Sequence, residues 1–300
     1  MATPWDRAAA RYIEEWVPRF VPYHLDLVRE LALSQGQRVL VASAGPGAEV
    51  LAVARAVGDR GKVRAIDANP EMVRVCQEQV KKAGFAGVTC EHADPGHVGE
   101  PGYNAIICAF GLWAVEDRVS LIKKWASALA PTGKVGVLTF GPPDDDDPFE
   151  LLSRALKELE PSAMTRPTRI DSTREAFIKM FEDAGLSLVR HTVLRHTISF
   201  PTAEDFALAI SEGRTWRRVW EEVGPERIGR VKAKFYAEVG GPEAPLSFAP
   251  AVTLGIAALP GAEVELAARP SVKVPPLSTA PPPETTKAKK PSPPPDPYKD

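Results

Sequence analysis

The turn Ala44-Gly45-Pro46-Gly47 stands between an apolar run, Val39 to Ala42, and a helical pattern that places Val50, Val53 and Val57 on one face. Gly45 and Gly47 lack a Cβ, so a ligand can approach the main chain there, at a helix N-terminus and at the carboxyl edge of a sheet. The spacing separates classes of ligand. A dinucleotide fingerprint calls for Gly or Ala at its sixth position, and here that position is Val50, whose bulk opposes the close helix-to-strand approach of a pyrophosphate grip. A cofactor without a pyrophosphate fits better. About twenty residues further on, a second apolar run ends in Asp67, where a carboxylate can accept both hydroxyls of a ribose. The plainer role for an Asp at that place is turn chemistry.

The remaining reactive residues say less. Cys76, Cys90 and Cys108 form no CxxC pair and have no metal-ligand spacing, so they read as small core residues of a reducing compartment. The run Asp144 to Asp147 lies between prolines and lacks the spaced oxygens of a calcium loop. It reads as a solvated loop, and no metal is expected.

The glycine turn and Asp67 need a scaffold that brings strand ends together, and the chain supplies that pattern. Strands and helices alternate from about residue 36 to residue 200, the signature of a parallel sheet covered on both faces. The expected strands are 38–42, 62–66, 88–92, 104–109, 134–140 and 186–195. Asn69-Pro70 starts one helix and Gly84 stops it, and a capping box of Ser172 and Glu175 opens another ahead of Phe177. After Phe200 come three helical patterns, 202–212, 215–223 and 225–239, and then a strand, 252–258, expected to return antiparallel beside the preceding strand and leave the helices as a lid. The reading divides the chain into an N-terminal helical segment (1–35), an α/β core (36–200), a helical cap with returning strand (201–260) and a tail (261–300). From Arg269 onward roughly a third of the residues are proline, which predicts a disordered, solvated segment or a polyproline II docking peptide for a protein partner.

Composition narrows the function classes. Three hundred residues with 44% hydrophobic content suffice for one large α/β domain. A net charge of −2 gives no basic field of the kind that gathers phosphates, so nucleic acid is not expected as a partner. The first residues lack the apolar region of a secretory signal, and no apolar run reaches the ~18 residues of a membrane span. A cytoplasmic protein acting on a small molecule is expected.

Taken together, WDRAAARY, AGPG, IDANPEMV, the HAD at 92–94, YNAIICAFGLW, LAPTGKVGVLTFGPP and FEDAGL resemble the class I S-adenosylmethionine-dependent methyltransferases, among them the small-molecule enzymes related to ubiquinone and menaquinone biosynthesis. The resemblance covers roughly residues 5 to 260. It implies a doubly wound, Rossmann-like seven-stranded α/β sheet with S-adenosylmethionine as cofactor. It also implies that Gly45 and Gly47 face the amino-acid end of the cofactor, Asp67 the ribose and Met72 the adenine. Asp94, or the backbone beside it, would receive the adenine amino group. Ala109 and Phe110 would lie under the methionine part, with Tyr12 closing over the cofactor. Three departures stand out: Val41 replaces the family's strand-end acid, Ser43 a glycine or alanine, and Asn104 an Asp. A His common in the family is also missing where Trp113 and Ala114 stand.

The expected function is methyl transfer to an O, N or C atom of a small aromatic or polyketide-like acceptor. Trp113, Phe149, Phe206 and Trp216 are the expected pocket aromatics, with Trp220 paired to Trp216 at helical spacing. Where the acceptor must lose a proton, the candidate base is His196, which shares a strand phase with Leu194, Ile198 and Phe200. Of the other histidines, His24 is expected after the N-terminal helix near the pocket mouth, His92 in strand packing and His97 in an exposed turn. The competing reading is a cofactor-binding scaffold or regulatory protein without transfer activity, favoured by Val41, Asn104 and the missing His.

Overall fold

The structure is a computed structural model and describes residues 12–163, 170–211 and 214–267, with backbone alone at 163 and 214–218. A π-helical turn, Tyr12–Trp16, runs into helix α1, Val17–Glu30. There follow β1 (Arg38–Ala42), α2 (Val50–Val57), β2 (Lys62–Asp67), α3 (Pro70–Ala83), β3 (Val88–His92) and β4 (Tyr103–Ala109). Next are α4 (Arg118–Ser127), β5 (Leu129–Phe140), α5 (Pro148–Leu159), α6 (Arg174–Asp183) and β6 (Ser187–Arg195). Beyond a short β7 (Ile198–Phe200) lie α7 (Ala203–Ser211), α8 (Arg214–Val223), α9 (Pro225–Val239), β8 (Leu246–Phe248) and β9 (Ala251–Ala258).

Seven strands form one sheet in the order β3-β2-β1-β4-β5-β9-β6, parallel except for β9. Alternation along each strand feeds two cores. Val39 and Val41 point into the layer built with α1, α2, α5 and the cap, while Leu40 and Ala42 point into the layer covered by α4 and α6. The returning strand is antiparallel to β6, as expected, and it also pairs with β5, with Gly136 opposite Ile256 and Leu138 opposite Leu254. It is therefore inserted between the two rather than added at an edge. All eight of its residues are buried, so it reads as one apolar run without alternation.

Local signals acted where a side chain could reach the backbone. Asn69 caps α3, its side chain accepting from the N–H groups of Glu71 and Met72, and Gly84 ends that helix at φ +76°. The capping box needs correction. Thr173 is the cap of α6, accepting from Ala176 N, whereas Ser172 is buried and its carbonyl meets His191 Nε2 at 3.0 Å. The Asp run also differs from a solvated loop: buried Asp147 caps α5 through Phe149 N, and Asp144 pairs with Arg195.

The cap closes at its neck through a pairing the sequence reading did not anticipate. β7 enters the cap and β8 leaves it, and the two zip antiparallel, Phe200 opposite Leu246. Helices α7, α8 and α9 then pack Phe206, Ile210, Val219, Trp220, Val231 and Phe235 into the same core as Trp16 and α5.

Residues 261–267, assigned above to the tail, are bound to the domain. Lys134 is almost wholly buried in β5 and donates to the carbonyls of Leu31 and Glu265. Arg190 pairs with Glu30 and donates to the Ala267 carbonyl, and Leu266 packs on the core. The expected disorder from Arg269 onward lies outside the described residues. Removing 268–300 is expected to leave the melting temperature unchanged. Removing 261–300 strips an acceptor from the buried Lys134 at a cost of about 1–3 kcal/mol, which thermal melting should register as a fall of several degrees.

Candidate functional site

The strand order reverses between β1 and β4, whose neighbours run outward on opposite sides. Crossover connections leave such a point in opposite directions, so a crevice opens at the carboxyl ends of these strands. Ser43 follows β1 with φ +57° and Phe110 follows β4 with φ +55°. Positive φ in non-glycine residues is uncommon and clusters at functional sites. Gly111 lets the two loops meet, since a Cβ there would fall 2.5 Å from that of Ser43.

The glycine turn is held from below and from the side. Gly47 adopts φ +96°, and a Cβ would fall 2.9 Å from Cys76 Sγ on α3. Gly45 adopts φ +53° with open space where a Cβ would point. Its N–H donates to Asp67 Oδ2 at 2.8 Å, and Asn69 N–H donates to Asp67 Oδ1 at 2.8 Å. Asp67 thereby ties the turn after β1 to the turn after β2. Burial pushes its carboxyl above the usual range and neighbouring Glu49 adds to the rise, while the two backbone donors pull the other way. Each carboxylate oxygen retains a lone pair for a further donor.

Around this clamp stand the other expected residues. Met72 is buried in the first turn of α3, and Ala109 is buried at the end of β4. Asp94 is exposed, its Oδ1 accepting from Gly96 N–H at 2.8 Å in a turn. Ala93 N–H donates to the Asp67 carbonyl at 3.0 Å, which draws the end of β3 toward the crevice. Tyr12 lies close enough to Glu49 and Asp67 for both to act on it, and burial first, then these charges, push its phenol up to about 12.

Residues 39–133 match the sequence profile of a family described as methyltransferase domain. A demethylmenaquinone methyltransferase from Anoxybacillus flavithermus is 29% identical over 127 residues, which are 42% of this chain and 54% of that protein. The ubiquinone/menaquinone biosynthesis C-methyltransferase UbiE of Shewanella halifaxensis is 28% identical over 173 residues, 52% of this chain and 69% of that protein. The chain thus spans about half the length of the first of these relatives. Among solved structures, the YcgJ protein from Bacillus subtilis superposes with a TM-score of 0.54 at 17% identity, covering 79% of this chain and 98% of that one, which shows the shared fold. Residues 39–133 thus carry a methyltransferase domain, for which the expected cofactor is S-adenosylmethionine.

Two features of the crevice fit that cofactor. The main chain at Gly45 leaves room for a ligand, and Glu49, 1% exposed at the start of α2, has an oxygen, Oε1, without a hydrogen-bond partner among the described residues. The departures from the family also become physical. Val41 is fully buried in the core. Ser43 occupies a left-handed conformation that glycine would adopt at lower cost. Asn104 sits at the opposite edge of the methyltransferase sheet, where its Oδ1 accepts from Arg38 N–H at 2.9 Å, so it has no part in the crevice.

The aromatic predictions divide. Phe149 joins Trp16 (ring centroids 5.4 Å) and Phe206 (5.3 Å), but Phe206 is fully enclosed and supports the cap from behind. Trp113 packs into the opposite layer with α4, away from Phe149 and Phe206. The side chain of Trp216 lies outside the described residues, and its proposed partner Trp220 is buried in the cap core. The rings that reach the crevice at Phe110 are Phe20 (5.2 Å), Phe140 (5.1 Å) and His24 (5.5 Å).

The histidines change roles as well. His196 keeps the predicted phase but is engaged elsewhere: Nε2 lies 2.7 Å from Asp26 Oδ2, and its ring packs edge-on to Tyr23, which contacts Phe20. Two rings, Tyr23 and Phe20, thus separate it from Phe110. His24 lies within α1, not after it, with Nδ1 3.0 Å from Glu49 Oε2. His92 is exposed against the Ala68 carbonyl rather than packed, and His97 is exposed. Sequence reasoning missed Glu49, although its position four before Val53 puts a carboxylate on the apolar stripe of α2.

Gly47→Ala is expected to destabilise the domain. The left-handed conformation alone costs about 1–2 kcal/mol, and the contact with Cys76 Sγ adds to it. In a denaturant series, pairing Gly47→Ala with Cys76→Ala should recover the contact part only. Full recovery would mean that the turn relaxes to an ordinary conformation.

Proposed function

We propose that the protein transfers a methyl group from S-adenosylmethionine to a small, apolar aromatic acceptor, a quinol-type ring being the first candidate. The observation that carries the reading is the glycine turn clamped to the Asp67 carboxylate at the point where the strand order reverses. The curated relatives, named for ubiquinone and menaquinone methylation, support the acceptor class. So does the wall of Phe20, Phe110 and Phe140, the last 38% exposed at the carboxyl end of β5.

When bound, the cofactor supplies a methyl group on a sulfonium, so the protein mainly orients and desolvates. In this reading Asp67 receives the ribose hydroxyls on its free lone pairs. Met72 and Asp94 border the adenine, and Gly45, Gly47, Ala109 and Phe110 border the methionine part. Tyr12 keeps its proton at neutral pH and closes the crevice as a donor. His24, with Nδ1 3.0 Å from Glu49 Oε2 and its ring edge-on to Phe110, takes the place expected of His196 as the imidazole of the site. The cap core, with Phe206 behind Phe149, sets the size of the acceptor pocket. Among the described residues no helix is long and apolar enough to cross a membrane. The proline-rich segment 268–300 is read first as a solvated linker and second as a docking peptide for a protein partner.

The scaffold reading has one observation of its own: fully buried, apolar Val41 leaves the end of β1 without a carboxylate. Calorimetric titration with S-adenosylmethionine, followed by methyl-transfer assays on quinols, phenols and amines, separates the two. Binding without turnover across the panel would favour the scaffold.

Asp67→Ala should weaken cofactor binding by roughly 10²–10³-fold, the loss of two charge-assisted hydrogen bonds. It should also lower the melting temperature, because Gly45 and Asn69 lose their acceptor. Phe140→Ala should raise the KM for an aromatic acceptor and leave cofactor affinity within error. An equal loss in both would place Phe140 in the cofactor site.

A further inference from the structure

Glu49 is a buried carboxylate whose electrostatics are incomplete. It is 1% exposed, and burying an ionised carboxylate is costly unless its oxygens are paired. One oxygen, Oε2, stands 3.0 Å from His24 Nδ1. Among the described residues neither Glu49 Oε1 nor His24 Nδ1 completes a hydrogen bond.

Among the described residues no Lys or Arg pairs with Glu49. Asp67 is the second carboxylate of the crevice, and the two are near enough for Glu49 to push the Asp67 carboxyl upward. Burial raises the Tyr12 phenol and the Cys108 thiol, the contact with Cys90 and then burial raise the Cys76 thiol, and the same Glu49 charge adds to all three. Glu49 therefore faces the shared floor of the glycine turn, the ends of β2 and β4 and the Tyr12 turn. That floor is electronegative, and a cation entering it would satisfy Oε1. The position lies two residues beyond Gly47, where the chain leaves the turn, and the side chain beneath it on β1, Val41, is apolar and fully buried.

We propose that Glu49 is the carboxylate that receives the α-ammonium group of the cofactor's methionine end, with His24 Nδ1 lying 3.0 Å from its second oxygen. The assignment rests on the cofactor reading above. Glu49 thereby supplies from the start of α2 the negative charge that β1 lacks.

The test is calorimetric titration of the full chain and of Glu49→Gln with three ligands. S-adenosylmethionine carries both the sulfonium and the ammonium, S-adenosylhomocysteine the ammonium alone, and 5′-methylthioadenosine neither. Glu49→Gln is expected to weaken the first two alike, by roughly 10- to 100-fold, the range of a lost charge-assisted contact, and to leave 5′-methylthioadenosine unchanged. Loss confined to S-adenosylmethionine would assign Glu49 to the sulfonium and overturn the proposal. Equal loss for all three ligands, or no loss, would overturn it in favour of an internal pair with His24. Failure of the parent protein to bind any of the three would instead remove the cofactor reading itself. Should Glu49→Gln not fold, Glu49→Asp carries the same test, because it draws the charge back by one methylene. Its affinity for S-adenosylhomocysteine should then fall relative to that for 5′-methylthioadenosine, and an unchanged ratio would count against the proposal.

Discussion

The crevice depends on the carboxylate of Asp67 and what it holds. One oxygen accepts from Gly45, the other from Asn69, so a single side chain fixes the turn after β1 against the turn after β2. The N–H of Gly45 would otherwise need another acceptor, and a turn of alternating left-handed glycines would have little else to keep it open. Asn69 in turn caps α3, and α3 carries Cys76, on which Gly47 rests. The chain of support runs from carboxylate to turn to helix and back to the turn. The residue proposed for ribose recognition is therefore also part of the framework, and the two roles would use different lone pairs of the same oxygens.

A second support is aromatic. Trp16, Phe20, Phe149, Phe200, Phe206 and Phe248 interlock through edge-on and tilted contacts, joining the N-terminal helix, α5, the cap and its neck. Such pairs hold defined angles as well as burying apolar area. Trp16 adds a hydrogen bond from its indole N–H to the Ala209 carbonyl at 3.2 Å, which fixes the first turn of the domain to the cap. Phe110 and Phe140 are joined to this cluster through Phe20, so the acceptor wall proposed there would be mechanically linked to cap packing.

Electrostatics divide the two ends of the sheet. At the carboxyl edge Asp67 and Glu49 make a negative floor. At the amino end Lys134 is buried among backbone carbonyls, and Arg190 meets Glu30, drawing residues 261–267 onto the base of α1. The chain after β9 is thereby part of the domain up to Ala267. Its composition gave little sign of this, because the contacts are made by its carbonyls and by Leu266, and every residue type offers a carbonyl.

The sequence by itself determined whatever depends on neighbours along the chain. Strand and helix positions followed from apolar period. The starts and ends of α3 followed from Asn69, Pro70 and Gly84. The glycine turn and Asp67 were legible because both belong to short, contiguous patterns, and the cofactor class followed from the resemblance those motifs carry. What only the tertiary structure decided was who meets whom across the sheet. The insertion of β9 between β5 and β6 and the zipping of β7 to β8 are pairings over long loops, which no local period encodes. Side-chain roles shifted for the same reason. His196 has the right phase but finds Asp26, while Trp113 falls into the opposite layer. Glu49 and His24 stand 25 positions apart in sequence and 3.0 Å apart in space. A buried carboxylate is defined by what surrounds it, and that is set only when the elements are packed.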